Sequence, residues 1–437
     1  MRPRGGLAAR RVRGQIRGMA TIVLVGTLDT KGEEYGWLRE RLEARGAEVL
    51  VVDAGVAGAP RLPAEVPREA VARAAGEDLA ALRAAGDRGT AVTAMAAGAA
   101  AVVRDLHRDG RLHGVLALGG SGGTSIATRA MRELPLGVPK LMVSSMAAGD
   151  VSPYVGSSDL TLMYSVVDIA GINRISAPIL ANAVEAIAAM AAHHETASAH
   201  GSSPTGTGRG AGPERPLVAA SMAGVTTPGV DAARGRLTEL GYEVLVFHAS
   251  GPGGRSLEAL AGEGAFAGVL DLTLSELADD LVGGILTAGP DRLTAAGAAG
   301  IPQVVGLGAL DMVKFGPSGT LPARFADRHV RVHNPSITVI RTTAAESAEL
   351  GRRVAAKLWA ATGPTSVLVP LRGLSTLGAP GGPYHDPELD AVLVTALREG
   401  LDGSQVEIVE LDTDLNDPAF GRTAADRLHA LITAASG

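Results

Sequence analysis

The sequence predicts an α/β protein of two tandem, doubly wound Rossmann-like domains with parallel sheets, related by internal duplication. Three observations carry this. Short β-branched runs alternate with helical stretches of ten or more residues, as in Thr21–Val25 and the segment that ends near Arg45. The strands read as near-continuous apolar runs, the mark of parallel sheet covered by helices on both faces. The two halves also repeat each other: LEARGAEVLVVDAG (42–55) and LTELGYEVLVFHAS (237–250) share seven of fourteen residues.

The first half opens with the strand Thr21–Val25, a Gly/Thr/Asp loop at Gly26–Gly32, a helix, and a strand Glu48–Val52 that ends at Asp53. The second half repeats the plan with strand Leu217–Ser221, loop Gly224–Gly229, helix Val230–Leu240 and strand Glu243–Phe247. Later, GVLALGG (114–120) answers to GVLDLTL (268–274), and VPKLMVSS (138–145) to IPQVVGLG (301–308). Between the halves, ASAHGSSPTGTGRGAGPERP is Gly/Ser/Thr/Pro-rich and lacks apolar periodicity, as a connector does. The expected domains are therefore 19–196 and 216–437, joined by a linker over 197–215.

Composition excludes several chemistries. The 437 residues include no cysteine, which removes disulfides, Cys-ligated zinc, iron–sulfur clusters and a cysteine nucleophile. Net charge is −6, but residues 1–18 carry six arginines and no acid. Without that leader, 34 basic and 46 acidic residues remain, a net −12, which argues against a nucleic-acid binder. The leader has no apolar core, so it does not read as a secretory signal, and Met19 is an alternative start. The most membrane-like run, Ala91–Val103, is too short to span and ends at Arg104. These features read as a cytoplasmic protein without membrane or nucleic-acid partners. Only Lys31, Lys140, Lys314 and Lys357 are lysines among 40 basic residues, so the position of each is informative.

In doubly wound folds, ligands bind beyond the carboxyl ends of the strands. The first candidate there is GTLDTKG, Gly26 to Gly32. A helix start presents unpaired N–H groups and partial positive charge, which suits phosphate. Thr27 and Thr30 can donate to phosphate oxygens, Lys31 can neutralise them, and Asp29 can hold a divalent metal. The competing reading is a simple N-cap by Asp29 or Thr30, with Glu33 and Glu34 in the first turn. The second candidate is GGSGGT, comprising Gly119, Gly120, Ser121, Gly122, Gly123 and Thr124, where the glycines suit close approach of a ligand to the backbone. Here the competing reading is a bare tight turn. Asp53 stands near the place where a Rossmann acid holds ribose hydroxyls. The following loop, 144–159, offers Ser144, Ser145, Asp150 and Tyr154.

The second half carries different residues at the corresponding strand ends. His248 stands where the first half has Asp53, followed by Arg255 and Glu258. Asp271 and Glu276 replace the Gly-rich loop, Asp311 and Lys314 follow the next strand, and His333 and Arg341 lie in RVHNPSITVIRTT. If these converge, they support acid–base chemistry or an anionic substrate. His193-His194-Glu195 adjoins the linker, lacks an HExxH pattern and reads as solvated.

VGTLDTKGEE (25–34), GGSGGTS (119–125), AAGDVSPYVGSSDLTLMYSVVDIAGIN (147–173), FHASGPGGRSLE (247–258), and HNP followed by RTT resemble one family. It is the ATP-binding family named after the tomato tobamovirus-resistance inhibitor, and the resemblance covers about 19–435. It implies a nucleotide in the first of two Rossmann-like domains, and a homodimer. In the plant protein a TIM-barrel-like region follows, so a separately encoded barrel partner is a further implication. Carried onto this sequence, ATP phosphates fall near Thr27, Asp29, Thr30, Lys31 and Gly119–Thr124, with Mg2+ at Asp29. The stretch 374–388 departs from the family pattern at Ala379-Pro380. The combined expectation is an ATP-dependent enzyme, by phosphoryl transfer or ligation, with an unknown small metabolite held between the domains. The alternative is a nucleotide-gated interaction module without turnover.

Overall fold

The computed structural model describes residues 19–199 and 215–435. The basic leader and residues 200–214 of the expected linker lie outside the described residues. The chain divides into two compact units, each an α/β body.

The first domain runs β1 (Thr21–Gly26), α1 (Leu28–Ala44), β2 (Glu48–Asp53), α2 (Arg68–Ala74), α3 (Leu79–Ala85), α4 (Arg88–Arg108), β3 (Gly114–Gly119), α5 (Ser121–Met131), β4 (Lys140–Ser144), α6 (Ser152–Val155), β5 (Thr161–Tyr164) and α7 (Ser176–Ala199). Its sheet has the order β2-β1-β3-β4-β5, parallel throughout. Alternation along the strands feeds two cores. Val23, Val25, Val115 and Ala117 pack with Met95 and Val103 of α4. Ile22, Leu24, Leu116 and Leu118 face Leu38 of α1 and Ile187 of α7. Helix α7 extends three residues past the expected boundary at 196. It buries His194, which was expected to be solvated, and burial lowers the pKa of that imidazole.

The chain leaves β1 toward β2 and returns on the other side as β3, so the β1–β3 gap is the topological switch point. A tyrosine pins it. The paired register runs only from Ile22–Gly114 to Leu24–Leu116. Beyond that, the buried Tyr35 hydroxyl donates to Val25 O at 2.6 Å and accepts the Leu118 N–H at 3.0 Å. The ring lies over Gly26, where a Cβ would come within 2.0 Å of it.

The second domain runs β6 (Leu217–Met222), α8 (Thr227–Glu239), β7 (Glu243–His248), α9 (Pro252–Gly262), β8 (Gly268–Thr273), α10 (Ser275–Val282), α11 (Ala295–Ala298), β9 (Gln303–Gly308), β10 (Met312–Phe315), β11 (Val330–Asn334), β12 (Ile337–Arg341), α12 (Ala344–Trp359), β13 (Thr365–Pro370), α13 (Pro387–Leu401), β14 (Glu407–Leu411) and α14 (Pro418–Ala435). The order β7-β6-β8-β9 repeats β2-β1-β3-β4, and β13 and β14 extend the sheet. The ladder positions match too: Gly26 pairs with Asp53 in one domain, and Met222 with His248 in the other. One feature departs from an all-parallel expectation. Strands β10, β12 and β11 form a separate antiparallel sheet, inserted between β9 and α12. Its strands are only four or five residues long, and β11 is exposed along its whole length, so the sequence reads there as strand-end loop.

Gly26→Ala should therefore destabilise the protein by about 1–3 kcal/mol, because the new methyl has only an immobile buried ring to displace. Denaturant titration checks this, and an unchanged midpoint would refute the packing argument.

Candidate functional site

A cleft of about 740 Å³ opens at the switch point of the first domain. It is lined by the starts of α1 and α5 and by the long excursion from β2 into α4. Both expected phosphate loops are shorter than the sequence suggested. Helix α1 begins at Leu28, so only Thr27 separates it from β1. Helix α5 begins at Ser121, which places Gly122, Gly123 and Thr124 inside its first turns.

At the α1 side, Thr27, Asp29, Thr30 and Lys31 all reach the cleft. The Thr27 and Thr30 hydroxyls lie 2.8 Å apart. Asp29 Oδ2 accepts the Ala57 and Gly58 N–H groups at 2.8 and 3.2 Å, while its buried Oδ1 has no partner among the described residues. Lys31 leaves helical geometry (φ −123°, ψ 18°), and its ammonium donates to Ile169 O. At the α5 side, Gly119, Gly120, Ser121, Gly122 and Gly123 line the cleft. No side chain caps this helix, and its first bond is Thr124 N–H to Gly120 O at 2.9 Å. The N–H groups of Ser121, Gly122 and Gly123 precede that bond, as anion-binding helix starts require. A Cβ on Gly119 would come within 3.0 Å of Gly123 Cα, so glycine is what lets the strand end and helix meet.

Three expected residues take other roles. Gly26 packs beneath Tyr35. Thr124 is buried, bonded to Gly120 O at 2.8 Å and to the Ser144 hydroxyl at 2.7 Å. Asp53 is buried, and its Oδ1 accepts the Leu28 and Gly55 N–H groups at 3.1 and 2.9 Å. Burial raises its pKa. It fixes the entry into α1 and does not offer itself to a ribose. In the 144–159 segment, Asp159 pairs with buried Lys140, away from the cleft lining.

The cleft also holds residues the sequence reading missed. Arg83 and Arg88 line it, together with an apolar wall of Val56, Leu82, Val92 and Ile126. Helix α4 starts here as well, capped by Asp87 through the Gly89 and Thr90 N–H groups at 3.0 and 3.3 Å. The one available signal was the turn Gly86-Asp87-Arg88, which reads as a helix N-cap but not as a binding element.

The switch point of the second domain is filled. Ser221 Oγ donates to Asp271 Oδ1 at 2.6 Å and accepts the Thr273 N–H at 2.9 Å. Arg292, fully buried, donates to Asp271 at 2.7 Å, to Glu276 at 2.7 Å and to Glu258 at 3.1 Å. Glu276 also accepts the Gly251 and Gly254 N–H groups at the start of α9, at 2.6 and 3.1 Å. Glu258 accepts those of Leu293, Thr294 and Ala295. Three of the expected site carboxylates are thus internal partners of one guanidinium.

The remaining candidates do not join them in one pocket. His248 is exposed at the end of β7, and Arg255 donates to Thr287 O at 3.1 Å. Asp311 is buried against Ser375 at 2.6 Å, and Arg341 pairs with Asp390 at 2.6 Å. His333 is exposed on β11 of the antiparallel sheet. The convergence is partial: Arg341 also donates to Asp311 O at 3.3 Å, whereas His248 and His333 are exposed on strands of different sheets. Among the described residues, no group of three or more His, Cys, Asp or Glu is placed to hold a metal ion.

Comparison with known proteins gives the same two-part division. Residues 20–196 match the N-terminal domain, and 215–432 the C-terminal domain, of the uncharacterised protein family UPF0261. The chain belongs to this family. A UPF0261 protein of Clostridium tetani is 44% identical over 93% of this chain and 98% of its own length. One from Rhizobium meliloti is 43% identical over 93% and 98%. The ToMV resistance protein Tm-1(GCR237) of Solanum lycopersicum is 39% identical over 78% of this chain, which covers 44% of the plant protein. The UPF0261 relationship thus extends over both domains. No helix among the described residues is long and apolar enough to cross a membrane.

Arg292→Met should cost about 3–5 kcal/mol, because it leaves two buried carboxylates, Asp271 and Glu276, and the part-buried Glu258 without their cation. A loss below about 1 kcal/mol in denaturant titration would show that the network is not what holds this region.

Proposed function

We propose that the first domain binds a nucleoside polyphosphate, ATP with Mg2+, in the cleft at its switch point. The observation that carries this is the meeting of the α1 and α5 starts at the ends of β1 and β3, with three leading N–H groups on α5 that no side chain caps among the described residues. Phosphates would lie across these starts, with Thr27, Thr30 and Lys31 on one side and Ser121–Gly123 on the other. The donor set fits a magnesium ion. Asp29 supplies a free, buried carboxylate oxygen, and Mg2+ commonly takes one or two carboxylates with phosphate oxygens and water. When bound, the ion neutralises phosphate charge. The chain's own residues orient the phosphates and hold them against the helix starts.

Phosphoryl transfer or ligation on a small metabolite is one use of such a site, since the protein's work there is positioning and charge neutralisation. A nucleotide-gated interaction module is the second reading. One observation favours it: Glu258, Asp271 and Glu276, which suggested a substrate site, are engaged by Arg292. Incubation with ATP and metabolite pools separates the two. Stimulated release of phosphate, diphosphate or AMP supports the enzyme. No stimulation by any pool, with ATP altering partner binding, supports the module.

Calorimetry tests the binding itself. Lys31→Ala should weaken Mg-ATP roughly tenfold, the scale of one charge-assisted contact. Asp29→Asn should weaken ATP in the presence of Mg2+ and leave metal-free ATP unchanged. Unchanged affinity in both variants would remove the α1 start from the site.

A further inference from the structure

Resting on that nucleotide reading, we propose that Arg88, assisted by Arg83, is the phosphate clamp that makes the cleft select nucleoside di- and triphosphates over monophosphates. Arg88 opens α4, and its guanidinium lies against the first turn of α5: a Cβ placed on Gly122 would be 3.6 Å from Arg88 Nη2. One anion can therefore meet both the guanidinium and the leading N–H groups of Ser121–Gly123.

The charges around it call for such an anion. A guanidinium beside the positive end of a helix is repelled unless negative charge comes between them. Arg88 has no ion pair or hydrogen bond among the described residues, although it sits beside an acid. That acid, Asp87, is engaged as the α4 cap and also accepts from the Thr90 hydroxyl. The other cations of the cleft are partly committed. Lys31 donates to Ile169 O, and Arg83 directs its Nε–H to Val56 O while its terminal nitrogens make no bond among the described residues. Arg88 is thus the cation with its whole fork available, and a guanidinium fork matches phosphate oxygens in pairs. The unpartnered, buried Oδ1 of Asp29 on the same cleft is an independent sign that a ligand belongs here.

The excursion that carries these arginines is particular to this domain. Between β2 and β3 the chain makes α2, α3 and α4, whereas between β7 and β8 it makes α9 alone. At the filled switch point of the second domain the guanidinium, Arg292, is taken up by internal carboxylates. The excursion also supplies Val56, Leu82 and Val92, an apolar wall suited to a base or sugar, while the arginines address the distal phosphates.

The test titrates the full chain, as wild type, Arg88→Ala and Arg88→Lys, with ATP, ADP and AMP in the presence of Mg2+. Wild type should bind ATP and ADP more tightly than AMP. Arg88→Ala should lose about tenfold or more for ATP and ADP while AMP stays within about twofold. Arg88→Lys should recover part of the loss, and thermal midpoints should not move, because the side chain is exposed. If wild type binds ATP but Arg88→Ala leaves the ATP-to-AMP ratio unchanged, the clamp is overturned and the nucleotide site stands. If wild type binds none of the three, the nucleotide reading itself is overturned, and the clamp with it.

Discussion

The arrangement of both domains depends on what fills the gap where two parallel strands part at the switch point. Strands that neighbour each other but lead to helices on opposite faces leave a wedge of unpaired backbone at their carboxyl ends. That wedge must be satisfied by protein or left to a ligand. In the first domain one hydroxyl, from Tyr35, bridges Val25 and Leu118 below the opening; above it Asp53 takes the first N–H of α1, while the leading N–H groups of α5 meet no side-chain acceptor among the described residues. In the second domain Ser221, Thr226 and Thr273 bridge the same gap, and Arg292 with its carboxylates closes what lies beyond.

The duplicated domains therefore resolve one topological problem in opposite ways. The carboxylate of Glu276 sits on the N–H groups of Gly251 and Gly254 at the start of α9. Those are the kind of donors that α5 leaves open in the first domain. An internal carboxylate on a helix start has the same electrostatic logic as a bound phosphate. The second domain supplies its own anion, and Arg292 compensates the charge. The first leaves the start of α5 without an internal carboxylate among the described residues, with Arg83 and Arg88 lining the same cleft.

Much of the fold was legible in the sequence because parallel strands and the 42–55/237–250 repeat are local patterns. The Gly-rich segments were legible as ligand-facing, but their extent was not. Glycine-rich text reads as loop, whereas Leu28 and Ser121 already lie in helices that the neighbouring strands fix in place. The second-domain carboxylates misled for a definite reason. An Asp or Glu at a strand end looks the same whether it faces substrate or a buried guanidinium, and their partner Arg292 stands in a patternless stretch of an arginine-rich chain. Arg83 and Arg88 escaped notice because they reach the cleft from an excursion whose path no periodicity reveals.

With nucleotide bound as proposed, one switch point is open to ligand and the other is closed by protein. Amide hydrogen exchange of the full chain, with and without Mg-ATP, tests it most directly. New protection is expected at residues 27–31 and 119–124 and none at 221–227 or 271–277. Protection appearing in the second-domain segments instead, or in neither domain at saturating nucleotide, would contradict it.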